Sequence, residues 1–157
     1  MKSAMDKWET FQRLSGFERG VAIEAGVALP VTWAGLRLAG FRRWKSVLAR
    51  LASCPVENST ATPLLEGART IARMEAAAAR NVLFHPTCLE RSLVLWWLLR
   101  SRGILAELCV GARKDGERFE AHAWVEVDGA ILNDPGEPHV HFVPFDGPIT
   151  PVETSSP

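Results

Sequence analysis

The segment CLERSLVLWWLLRSRG, residues 88–103, constrains this chain more than any other. Its middle, LVLWWLL, is apolar on every side of a helix, so that helix has to be wrapped by other elements rather than face water. Both ends are marked. Thr87 is placed to cap the N-terminus, and Glu90 three residues on completes a capping box. Arg100 and Arg102 fall in the last turn, and Gly103 suits the position just beyond it. A rod buried all round is the natural spine of an α+β domain.

Around this spine the chain divides in two. Residues 5 to about 84 read as helices, and 104–134 as strands with tight turns. Trp8, Phe11 and Leu14 recur at helical spacing. Val21 to Leu38 suggest one or two helices bent at Pro30, and Phe41, Trp44, Val47, Leu48 and Leu51 mark a further stripe. CPVENSTATP reads as a loop, and the Ala-rich run from Leu64 to Arg80 as a helix. Gly20, Gly26, Gly35 and Gly40 are read as close contacts between helices. ILAELCVGA and FEAHAWVEV read as strands joined through Asp115–Gly116, with AILND following a second pair, Asp128–Gly129. On the middle strand, Phe119, Ala121, Ala123, Val125 and Val127 share one face, while Glu120, His122, Trp124 and Glu126 share the other. A short HVHFV strand fits the Pro/Gly-rich stretch that follows.

Composition narrows the function. With 157 residues, 47% of them apolar and 23% charged, the chain is one domain able to bury a proper core. Eighteen basic residues balance eighteen acidic ones, so no long-range field draws nucleic acid or anionic lipid. Arg42, Arg43 and Lys45 are read as a solvated helix face. The opening MKSAMDKWETFQRL lacks the apolar core of a signal peptide. The most apolar stretch is broken by Glu24, Pro30 and Arg37, so no membrane span is expected. Three widely spaced cysteines without a CxxC pair argue against a disulfide framework and for the reducing cytoplasm. No phosphate-cradling glycine loop is present. His139 and His141 would point the same way on a strand, but no further ligand cluster lies nearby, so neither metal nor other cofactor is expected.

The chemistry concentrates on Cys88, His122 and Asp134. With Thr87 as N-cap, Cys88 is the first helical residue, its sulfur beside unsatisfied backbone N–H groups at the positive end of the helix dipole. That setting favours a nucleophilic thiolate; a buried cysteine acting as a small hydrophobe is the alternative the cap leaves open. Cys54 and Cys109 have no comparable support. Whether His122 meets Asp134 depends on register. A two-residue turn at Asp128–Gly129 pairs Val127 with Ala130 and puts Asn133 on the face of His122. A three-residue loop, with Gly129 in a left-handed bulge, pairs Glu126 with Ala130 and sets His122 opposite Asp134. The bulged hairpin is the expectation. Cys88 then attacks a carbonyl, His122 moves the proton, and Asp134 orients the ring. The Cys88 N–H is a candidate oxyanion donor and His85 a second, while Trp124 covers the imidazole, walls the substrate or simply packs. Arg91 is expected to pair with Glu90 or another nearby carboxylate.

From Arg80 to Asp134 the sequence resembles the transglutaminase-like peptidases of lasso-peptide biosynthesis. The segments CLERSLVLWWLLRSRGI, LCVGA, FEAHAWVEVDG and ILND carry that resemblance, and RLSGFERG and LRLAGFRRW in the helical half carry it less specifically. It implies an α+β fold: a helical N-terminal half packed on a transglutaminase-like (papain-like) core with a central buried helix and a small antiparallel sheet. The expected organisation is a single domain over 1–157, with a helical portion at 1–84, a catalytic core at 85–145 and a flexible tail at 146–157. The resemblance further implies a Cys88–His122–Asp134 triad that cuts the amide between the leader and core of a ribosomal precursor peptide. Its implied partners are a separate leader-binding recognition protein and an asparagine-synthetase-like macrolactam cyclase. The helical face from Trp8 to Trp44 is the expected docking surface.

Overall fold

The computed structural model describes residues 11–52, 61–115, 118–134 and 143–144. Its order is α1 (Gly16–Leu51), α2 (Ala61–Ala79), α3 (Cys88–Arg100), β1 (Glu107–Asp115), β2 (Arg118–Val127), β3 (Ala130–Ile131) and β4 (Val143–Pro144). The four strands form one antiparallel sheet in the order β3-β2-β1-β4. This is the α+β arrangement expected from the sequence.

α1 starts at a capping box: the Glu18 N–H donates to Ser15 Oγ at 3.2 Å, and the Ser15 N–H to the Glu18 carboxylate at 2.9 Å. Those bonds hold the Glu18 carboxyl below its ordinary range. The helix does not break where its proline suggests. Pro30 lies within it, and the backbone leaves helical geometry at Gly40 instead, at φ 75°. Proline's fixed φ suits a helix, although its ring forfeits one bond and crowds the carbonyl four residues back, whereas only glycine takes the positive φ of this break without a Cβ penalty. The break folds the helix back on itself. A Cβ on Gly35 would lie 2.3 Å from the Trp44 ring, although nine residues of straight helix would separate the two by about 13 Å. Of the four glycines read as close contacts, Gly35 alone is one; Gly20, Gly26 and Gly40 have no neighbour within 4 Å of such a Cβ.

Despite Glu24, Pro30 and Arg37, α1 is long and apolar enough, by length and composition, to cross a membrane. One of its faces packs on protein: Val21, Ala25 and Leu29 are fully buried. Both interrupting charges are paired, Glu24 with Arg102 at 2.7 Å and Arg37 with Glu90 at 3.6 Å.

α3 is the spine its composition demands. Leu93, Val94, Leu95, Leu98 and Leu99 are all fully buried and join Val21, Leu29, Ile71, Val125 and Val127 in one core. Each such side chain contributes about 1.5–3 kcal/mol over its exposed state. The helix closes as expected: Gly103, at φ 75°, donates to Arg100 O at 3.1 Å, and Ile104 N–H reaches Leu99 O at 3.1 Å. Of the HVHFV strand only Val143 is described, in β4. His139, His141, Cys54, the expected loop around Cys54, the residues after Asp115 that lead into β2, and the expected tail lie outside the described residues.

Candidate active site

Cys88 is the first residue of α3, half-buried behind the predicted cap. The Glu90 N–H donates to Thr87 Oγ1 at 3.3 Å, and the Thr87 N–H to Glu90 Oε2 at 2.7 Å. The box uses the N–H groups of Thr87 and Glu90, so the first-turn donors remaining for a ligand are those of Cys88 and Leu89. One turn on, Arg91 grips Glu75 of α2 with both edges of its fork, Nε to Oε1 at 3.1 Å and Nη2 to Oε2 at 3.0 Å. Glu75 is fully buried. Burial pushes its carboxyl above the ordinary range against the pull of Arg91, and that pairing raises the guanidinium in turn. α3 is thereby fastened near its start to both α1, through Glu90 and Arg37, and α2.

His122 and Asp134 meet: Nε2 lies 2.5 Å from Oδ2, with both side chains 24% exposed. They do so by a different route from the one expected. The hairpin has a two-residue turn, pairing Val127 with Ala130 and Glu126 with Ile131. Asp128 (φ 48°) and Gly129 (φ 75°) both take positive φ, the twist that matches two-residue hairpins. The bulged register is therefore wrong, and regular pairing would carry Asn133, not Asp134, to the face of His122. What rescues the contact is a bend. β3 ends at Ile131; Leu132 N–H still reaches Val125 O at 3.0 Å, but the Val125 N–H turns to Asn133 Oδ1 at 2.9 Å. Asn133 Nδ2 donates to Ser92 Oγ at 2.8 Å, and that hydroxyl donates to Ala123 O at 2.9 Å. Side chains thus finish the ladder that β3 abandons, and the released backbone brings Asp134 round to the imidazole.

Ser92 was missed as a site residue, and Asn133 was read only as the residue a two-residue turn would bring to the face of His122. A signal existed: a lone hydroxyl in an otherwise apolar, all-round buried helix must find a polar partner, and Ser92 is such a residue, fully buried. The same bonds orient α3. Ser92 sits at Ala123, and Trp96 donates its indole N–H to Ala106 O at 3.1 Å, beside the β1 end that pairs with Glu126. The helix therefore runs with its N-terminus toward the His122 end of β2, and Cys88 shares the face of Ser92 one turn earlier.

The remaining candidates are placed as follows. Trp124 is 1% exposed, stacked beside His122 with ring centroids 6.2 Å apart and planes 17° apart, and it donates to Glu126 Oε1 at 2.6 Å. So deep an indole offers a substrate no wall; it backs the imidazole. His85 is exposed, two residues before the cap. Cys109 is a free thiol on β1, pushed up to about 11 by burial and then by Glu126 and Glu107. Among the described residues, no group of three or more His, Cys, Asp or Glu is placed to hold a metal ion.

The model of a family described as the transglutaminase-like superfamily matches residues 28–145. The chain belongs to the transglutaminase-like superfamily. That match takes in all of α3 and the sheet and most of α1. The chain is also similar to the microcin J25-processing protein McjB of Escherichia coli, with 42% identity over 52 residues, or 33% of this chain and 24% of McjB. The aligned stretch thus spans about a quarter of that relative's length. No solved structure matches the chain significantly. Both matches agree with the resemblance to lasso-peptide leader peptidases read from the sequence.

Proposed function

We propose that this member of the superfamily is a cysteine endopeptidase that removes the leader from a ribosomally made lasso-peptide precursor, with Cys88, His122 and Asp134 as its triad. The observation that carries the reading is the 2.5 Å bond between His122 and Asp134, formed midway along β2, on the side of Ala123 toward which the Cys88 terminus of α3 runs. The E. coli relative's name, a processing protein for a small peptide, supports the substrate class.

With Nε2 engaged by Asp134, Nδ1 is the ring nitrogen that exchanges a proton with sulfur. The Cys88 thiolate attacks the carbonyl carbon of the leader–core amide, and the C–O π electrons move onto oxygen. The Cys88 N–H, left over by the capping box, is the first donor to that oxyanion, with Leu89 N–H or His85 as the second. Collapse expels the core's amine, which takes its proton from the His122 imidazolium. Water then loses a proton to the neutral imidazole and opens the thioester, freeing the leader carboxylate and the thiolate. No step calls for a cofactor, and the reading places the reaction in the cytoplasm.

The working partners in this reading are the precursor, a separate leader-binding protein and the macrolactam cyclase. Part of the face expected to dock the leader-binding protein is turned inward, because Trp44 packs on Gly35, while Trp8 lies outside the described residues. The exposed apolar line on α1 is Ile23, Val27 and Val31, at helical i, i+4 and i+8 spacing, and these residues replace Trp44 as the proposed docking face. The test is mass spectrometry of the precursor encoded beside this gene, incubated with the full chain with and without the neighbouring leader-binding protein. A leader-sized fragment that disappears with Cys88→Ala is the expected result. An intact precursor that loses only ammonia would instead mark a transglutaminase-type acyltransferase. Wild-type processing by Cys88→Ala would end the reading.

A further inference from the structure

Resting on that reading of the site, we infer that Asn133 and Ser92 are positioning residues, holding the bend that keeps Asp134 on His122. Regular pairing after a two-residue turn does not deliver Asp134 to the imidazole; the departure from the ladder at Leu132 does. That departure strips Val125 N–H and Ala123 O of strand partners, and each is taken up by a side chain. Asn133 Oδ1 accepts from Val125 N–H at 2.9 Å, and Ser92 Oγ donates to Ala123 O at 2.9 Å. The bond from Asn133 Nδ2 to Ser92 Oγ, at 2.8 Å, joins the two halves into one chain of hydrogen bonds. Every acceptor and donor in it is used consistently, since the serine hydroxyl accepts once and donates once.

The placement gives this chain of bonds a role beyond packing. It starts on α3 four residues after the nucleophile, passes β2 at both neighbours of Trp124, and ends on the residue that precedes Asp134. One network therefore ties together the elements that carry sulfur, ring and carboxylate. If Asn133 loses its side chain, Val125 N–H is left buried without a partner, and resuming strand pairing at Leu132 becomes the way to satisfy it. Resumed pairing swings Asp134 away from His122.

The test reads the site without needing the precursor. Alkylation of Cys88 by iodoacetamide, located by peptide mass spectrometry in the full chain, is followed from about pH 5 to about pH 9. A sulfur paired with an oriented imidazole alkylates well into the acid range, whereas an unassisted thiol reacts only as it ionises in alkali. Asn133→Ala, and independently Ser92→Ala, should lower the Cys88 rate near pH 6 by about tenfold or more while leaving the rate near pH 9 within about twofold. Loss of packing alone would lower the melting temperature but leave the acid-to-alkaline ratio at its wild-type value. Folded variants of both kinds, by circular dichroism, that keep the wild-type ratio would overturn the inference. His122→Ala distinguishes failure of the triad from failure of the positioning role. If it too keeps the acid arm, the triad reading itself fails; if it alone loses the arm, only the positioning role fails.

Discussion

The Glu75–Arg91 pair gives the sharpest measurement of how α3 is held. Replacing Arg91 with Met keeps an unbranched side chain of similar reach but leaves a fully buried carboxylate without its two donors. Breaking a buried pair from one side costs about 3–5 kcal/mol. The Arg91 side chain is 31% exposed, so water reaches that side of the pair, and the expected loss is at the low end, about 3 kcal/mol. For a domain of this size that lowers Tm by roughly 6–12 °C. The sign of the pH dependence follows from the direction of the Glu75 shift. Burial already raises this carboxyl above its ordinary 4.5, and Arg91 opposes that rise. A carboxyl with a raised folded value stabilises fully below its unfolded value and loses that stabilisation as pH climbs through the folded one. The Arg91→Met deficit should therefore be largest at neutral pH and shrink as pH falls toward 4.5. Urea denaturation of wild type, Arg91→Met, Glu75→Met and the double variant, at two pH values, checks this. The double variant, with no buried charge left, should return to within about 1 kcal/mol of wild type. Equal stability of Arg91→Met and wild type at neutral pH, or a deficit that acid leaves untouched, would refute the reasoning.

Two further outcomes are expected. Gly35→Ala places a Cβ 2.3 Å from the Trp44 ring and should cost about 1–3 kcal/mol in urea melts, but little when made in a Trp44→Ala background; additive losses would contradict the contact. Cys109, pushed up to about 11 chiefly by burial, should stay a protonated, slow thiol at about pH 8 while Cys88 is alkylated, and Glu126→Gln should bring Cys109 labelling to lower pH. Equal labelling of the two thiols at that pH would overturn the assignment.

Local rules made some of this molecule legible in its sequence. The cap of α3 was readable because Thr87 and Glu90 are three residues apart and their bonds close within one turn. The all-round burial of LVLWWLL followed from its lack of any polar face. Competing local signals were harder. Pro30 and Gly40 both mark a possible bend, and the folding back of Trp44 onto Gly35, a tertiary contact, goes with the break at Gly40. The hairpin is a second case: Asp128–Gly129 marks a turn, but the pair suits both a two-residue turn and a bulge, and local chemistry does not choose between them. Asp134 reaches His122 after the strand has ended, through Asn133 and Ser92, which lie 41 positions apart. The partner of Arg91 is 16 positions away on another helix, and nothing in a one-dimensional pattern ranks Glu75 above Glu90.

The side-chain closure at Val125 and Ala123 also restricts how an extended peptide can approach. An open sheet border invites a guest strand, which adds itself through main-chain bonds and brings its own amide into register. At these two positions the invitation is withdrawn, because amide and carbonyl are already occupied by groups from the same chain. A linear substrate cannot zip onto this border of β2 without evicting Asn133 and, with it, the geometry of the imidazole.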